Sequence, residues 1–67
     1  MRESIEKLQS RNNLLRGEMQ NVMTLIMSGR ADETDIRDFL LAMDAKGPTV
    51  EEITGAVQVM RKFVLPV

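Results

Sequence analysis

Residues 22–60, VMTLIMSGRADETDIRDFLLAMDAKGPTVEEITGAVQVM, decide the architecture of this chain. Apolar side chains recur there every three or four positions, and Gly29 and Gly47 divide them into runs. Met19, Val22, Met23, Ile26 and Met27 form one face of a helix expected over 16–28, and Ile36, Phe39, Leu40 and Met43 form that of a helix over 33–46. Ile53, Ala56, Val57, Met60 and Val64 make the expected inner face of a helix over 50–64. Each dividing glycine falls where a helix ends in a left-handed residue, a conformation glycine reaches without a side-chain penalty. Asp32 is placed to cap the following helix by accepting from the amides of Thr34 or Asp35, and Asp32, Glu33 and Asp35 suit the positive end of its dipole. Pro48 disfavours helix at the residue before it, and Thr49 with Glu52 has the spacing of a capping box.

Working outward, Ile5 and Leu8 lie three apart among charged residues and suit a short helix over about 3–11. Asn12 and Asn13 favour a break, after which Leu14 reads as an anchor into the core. Gly55 marks a place where two helices approach closely, and Pro66 ends or redirects the last helix. The expectation is an all-α unit of four helices forming one domain over residues 1–67.

Composition narrows the function. A chain of 67 residues holds one small core. With neither cysteine nor histidine it lacks thiolate metal ligands, disulfides and the usual proton shuttle. Nine basic and ten acidic residues are interspersed, and two phenylalanines are the only aromatics, so neither a nucleic-acid interface nor a stacking platform is supported. No apolar run approaches the roughly 20 residues of a membrane span, and no secretory signal opens the chain, which leaves a cytoplasmic location as the expectation.

No catalytic, cofactor-binding or metal-ligating residue is expected here. The six methionines sit at helical spacing and read as core filling. Asp32, Glu33, Asp35 and Asp38 lack the alternating ligands and bidentate glutamate of a calcium loop and read as capping and solvated residues. Glu51 and Glu52 are helix neighbours pointing in different directions, with no nucleophile beside them, and read as capping residues. Isolated glycines at helix ends do not make a phosphate loop. The candidate partner face is Thr34, Asp38, Leu41 and Ala45, on one side of the third helix, with Leu25 and Val59 also off their helices' main faces. Such residues are either ordinary scattered exposure or a docking surface.

The run Ile26-Met27-Ser28-Gly29-Arg30-Ala31-Asp32, then Ile36 and Phe39-Leu40, then Lys46-Gly47-Pro48-Thr49-Val50-Glu51-Glu52-Ile53 and Met60-Arg61, resembles the N-terminal helical domain of the anthranilate phosphoribosyltransferases. Ile5-Glu6-Lys7-Leu8 and Val64-Leu65-Pro66-Val67 agree in placement, so the likeness covers nearly the whole chain. Pyrimidine nucleoside phosphorylases have a similar helical domain and are the alternative branch. The resemblance implies a transferase moving phosphoribosyl from phosphoribosyl pyrophosphate to the anthranilate amine, with magnesium, in tryptophan biosynthesis. The diphosphate loop and metal ligands would lie in an α/β domain that residues 1–67 lack, so this chain alone is expected to be inert. Its implied work is to wall the interdomain cleft, act in domain closure and contribute a homodimer contact. Three positions depart from the pattern: Asp44 stands where the family usually has a basic residue, Ala45 where methionine is common, and Leu15 where a serine or threonine would cap the second helix. A stand-alone helical interaction module, and a regulatory fragment pairing in trans with a catalytic domain, are the other readings.

Overall fold

The computed structural model describes residues 1–64. Four helices follow in order: α1 (Arg2–Gln9), α2 (Arg16–Met27), α3 (Glu33–Lys46) and α4 (Val50–Val64). Leu65, Pro66 and Val67 lie outside the described residues, and with them the expected role of Pro66. Helix α1 packs along α3, and α2 packs along α4. Ile5 and Leu8 of α1, Leu14, Met19 and Val22 of α2 and its approach, and Phe39, Ala42 and Met43 of α3 close a common core. Met1, Met23, Ile26 and Ala56 pack against it half-buried.

Two helix ends share one geometry reached with different residues. At the end of α2, Gly29 is left-handed at φ 76°, its amide donates to the Ile26 carbonyl and the Arg30 amide donates to Leu25. That closes the orphan carbonyls of the last turn. At the end of α1, Arg11 takes the same role at φ 64°, donating to Leu8 while Asn12 donates to Lys7. The first helix therefore ends at Gln9, two residues before the expected boundary, and a side chain bears the left-handed strain.

The starts of the helices follow the expectations in part. Leu15 stands at the N-cap of α2, largely exposed and with no side-chain acceptor, and the Glu18 carboxylate takes the Leu15 amide instead at 2.8 Å. Asp32 occupies the N-cap of α3 in extended conformation, yet its side chain makes no capping hydrogen bond. At α4 the box closes in both directions: the Glu52 amide donates to Thr49 Oγ1 at 3.1 Å, and the Thr49 amide donates to Glu52 Oε1 at 2.8 Å.

The inner face of α4 differs from the expected one. Glu52, Gly55 and Val59 are buried and Ala56 is half-buried, whereas Ile53, Val57, Met60 and Val64 are exposed. Gly55 explains the choice of side. A Cβ there would lie 2.7 Å from the Arg16 carbonyl oxygen and 3.2 Å from Met19 Cβ, so α2 sits directly against the glycine. Val59, expected off the main face, is in the core. On α3 the small Ala42 takes the inward position, and Leu40, expected inside, is exposed.

Candidate interaction surface

Nine charged side chains of the described residues hold helices or their connections together through ion pairs. Glu52 is fully buried and Lys46 nearly so, and their ion pair is 2.8 Å long. The three ammonium protons of Lys46 have three acceptors: Glu52 Oε1, Asn13 Oδ1 at 3.0 Å and the Gly47 carbonyl at 2.8 Å. Glu52 Oε2 accepts the Leu14 amide at 2.6 Å. The pair thus ties the α1–α2 connection to the α3–α4 connection. Burial pushes the Glu52 carboxyl up, but Lys46 and the amides of Leu14 and Thr49 outweigh it and hold the group below its ordinary value. The sequence showed the capping role of Glu52. Its burial required Lys46 and Leu14 to arrive from elsewhere.

Further pairs, exposed or half-buried, complete the scaffold. Arg2 of α1 donates to Asp35 at 2.9 Å and to Asp38 at 3.0 Å on α3. Arg16 grips Glu51 with two bonds of 2.9 and 3.0 Å, which lowers the glutamate's pKa. Lys7 donates to Glu18 at 2.7 Å, and the Leu15 amide and Lys7 together hold that carboxyl low. Among the described residues, no three acidic side chains converge in a way that would hold a metal ion. Asp35 and Asp38 instead bridge α1 and α3 through Arg2.

The four residues of the candidate partner face divide. Thr34, Leu41 and Ala45 are exposed on the outer side of α3, while Asp38 is half-buried beside Arg2. Leu40 lies exposed nearby, and Leu25, off the main face of α2, is half-buried. Of the methionines, Met19 and Met43 are core and Met60 is at the surface. The larger apolar surface, which the sequence assigned to the interior, is the outward side of α4. There Val57, Met60, Arg61 and Val64 line an open groove of about 230 Å³ whose lining is apolar. The repeat of Ile53, Val57, Met60 and Val64 was visible in the sequence, but periodicity does not say which apolar stripe of a two-sided helix faces its own domain.

Residues 2–64 match the family described as glycosyl transferase family, helical bundle domain. The chain is similar to proteins named anthranilate phosphoribosyltransferase from several bacteria. It is 43% identical to that of Citrifermentans bemidjiense and 45% to that of Geobacter sulfurreducens, in each case over all of this chain and 19% of the relative. It is 48% identical to that of Marinomonas sp. over 94% of this chain and 18% of the relative. The chain therefore spans about a fifth of the length of these curated relatives. No solved structure matches. No described helix is long and apolar enough to cross a membrane. The four-helix architecture and the match over residues 2–64 agree, and the chain belongs to the helical bundle domain family of the glycosyl transferases.

Proposed function

We propose that this chain works as the N-terminal helical domain of an anthranilate phosphoribosyltransferase. The carrying observation is the similarity to enzymes of that name along the full length of the chain. In that reaction the amine of anthranilate attacks the anomeric carbon of phosphoribosyl pyrophosphate and diphosphate departs. Stabilising the departing diphosphate takes cations and convergent amides. The residues described here do not fit magnesium, because Asp35 and Asp38 are bonded to Arg2 and Glu52 is enclosed by Lys46. Metal binding and bond making belong to the α/β part of the longer enzyme, and this domain walls the cleft, takes part in closure and lends the outer side of α3 to a homodimer.

The test is a chimera in which this chain replaces the corresponding N-terminal segment of the Geobacter sulfurreducens enzyme. Turnover of anthranilate within about tenfold of the parent supports the reading. A folded chimera that cannot use anthranilate overturns it. For the dimer contact, Leu41→Asp with Ala45→Asp in the chimera is expected to halve the sedimenting mass, and an unchanged mass shows that this face is not the contact.

A further inference from the structure

Helix α3 carries a self-complementary pattern on its outer side. Phe39, Ala42 and Met43 face the core, and Arg2 of α1 holds the flank that bears Asp35 and Asp38. The side left open presents Leu40 and Leu41, 57% and 62% exposed, with exposed Arg37 one turn before and exposed Asp44 one turn after. From Arg37 to Asp44 is one heptad, which falls short of two full turns by only about 20°. The two charges therefore stand nearly in line, roughly 10 Å apart along the axis. Among the described residues neither enters an ion pair, Arg37 not even with Glu33 one turn earlier.

The midpoint between positions 37 and 44 falls between Leu40 and Leu41. A two-fold axis crossing α3 there sets the helix antiparallel against that of a second copy. It lays the two leucines on their counterparts and brings Arg37 of each copy opposite Asp44 of the other, since a two-fold contact repeats every pair. Other alignments lose this match. A parallel pairing sets Arg37 against Arg37 and Asp44 against Asp44. An antiparallel pairing slipped by one turn, in either direction, sets one of the two charges against the leucines. Like charges and unpaired charges at a contact are penalised, so the alignment with both pairs is the one selected.

We infer that a second copy of this chain seats antiparallel on the outer side of α3, with Leu40 and Leu41 at the centre and Arg37 of each copy paired with Asp44 of the other. This rests on the reading above that lends this face to a homodimer. It adds the direction of the helices, the position of the axis and the two residues that decide which copies match. The leucines supply apolar area, and the charges fix the alignment.

The experiment uses two forms of the chimera, one with Arg37→Asp and one with Asp44→Arg, co-expressed with a tag on one of them. Paired with itself, either variant sets like charges together at both meeting points. Paired with each other, they restore two opposite-charge pairs. At low ionic strength the tagged Arg37→Asp form is expected to retain on the order of tenfold more of the untagged Asp44→Arg form than of its own untagged copy. Arg37→Asp combined with Asp44→Arg in one chain pairs with itself again, to within about threefold of the unmodified chimera. In about 1 M salt the preference disappears, because screening then acts over roughly 3 Å. All substituted side chains are exposed, and circular dichroism checks that the helices persist. Equal retention of both untagged forms at low salt overturns the inference, as does a doubly substituted chain that fails to pair. If Leu41→Asp with Ala45→Asp still halves the sedimenting mass in that case, the face is right and the alignment wrong. If that variant leaves the mass unchanged, the homodimer reading of the face falls as well.

Discussion

Glu52 carries more structural consequence than any other single residue. Its carboxylate is buried with a lysine and two backbone amides as partners, and no buried side-chain polar atom among the described residues lacks a partner. Removing one member of such a pair leaves the other charge uncompensated, which typically costs 3–5 kcal/mol. Glu52→Gln keeps the shape and part of the hydrogen bonding, so a loss of about 3 kcal/mol in urea unfolding is expected, a large share of the stability of so small a domain. A loss below about 1 kcal/mol would show that Lys46 is satisfied by Asn13 and Gly47 alone. Gly55 is the second decisive residue. Gly55→Ala gains up to about 1 kcal/mol of helix propensity but forces a methyl against the Arg16 carbonyl, and overpacking of that kind costs about 1–3 kcal/mol. The expected net is destabilisation, measured as a lower urea midpoint.

At the scale of elements, the paired helix ends make a direct comparison. Gly29 and Arg11 hold the same left-handed position after α2 and α1, with matching hydrogen bonds from the following residues. Only the second bears a side-chain penalty. Arg11→Gly is therefore expected to raise stability by about 0.5–1 kcal/mol, and thermal unfolding by circular dichroism checks it. The start of α2 offers a similar gain. Leu15 is exposed at an N-cap without an acceptor, and Leu15→Ser would supply one for the first-turn amides, worth about 1 kcal/mol. Glu18 already caps the Leu15 amide, so the two contributions are close enough to couple.

For the whole molecule, electrostatics set the acid limit of stability. Glu18, Glu51 and Glu52 all titrate below the ordinary glutamate value of 4.5 when folded. A carboxyl with a depressed folded pKa contributes stability that is complete above the unfolded value and is lost as pH falls through the folded one. The melting temperature is accordingly expected to hold at neutral pH and drop from about pH 5 downward, with most of the drop assigned to the enclosed Glu52 and little to the exposed Glu51. If Glu52→Gln leaves the acid slope unchanged, the drop has another source.

What the sequence by itself determined is local. Gly29, Gly47, the Thr49–Glu52 box and the three- and four-residue apolar repeats place helices and their ends through backbone sterics and short-range hydrogen bonds, interactions that need only neighbouring residues. The ordered motifs also pointed to the family. What only the tertiary structure decided is which side of a helix faces inward. Helix α4 has two candidate sides, one with Ile53, Val57 and Met60 and one with Glu52, Gly55 and Val59, and hydrophobicity alone favours the first. The second is chosen because Gly55 admits the α2 backbone, and because Lys46, Leu14 and Thr49 together satisfy a carboxylate that would otherwise be too costly to bury. Those partners lie 3 to 38 positions away along the chain, and only folding brings them to one point.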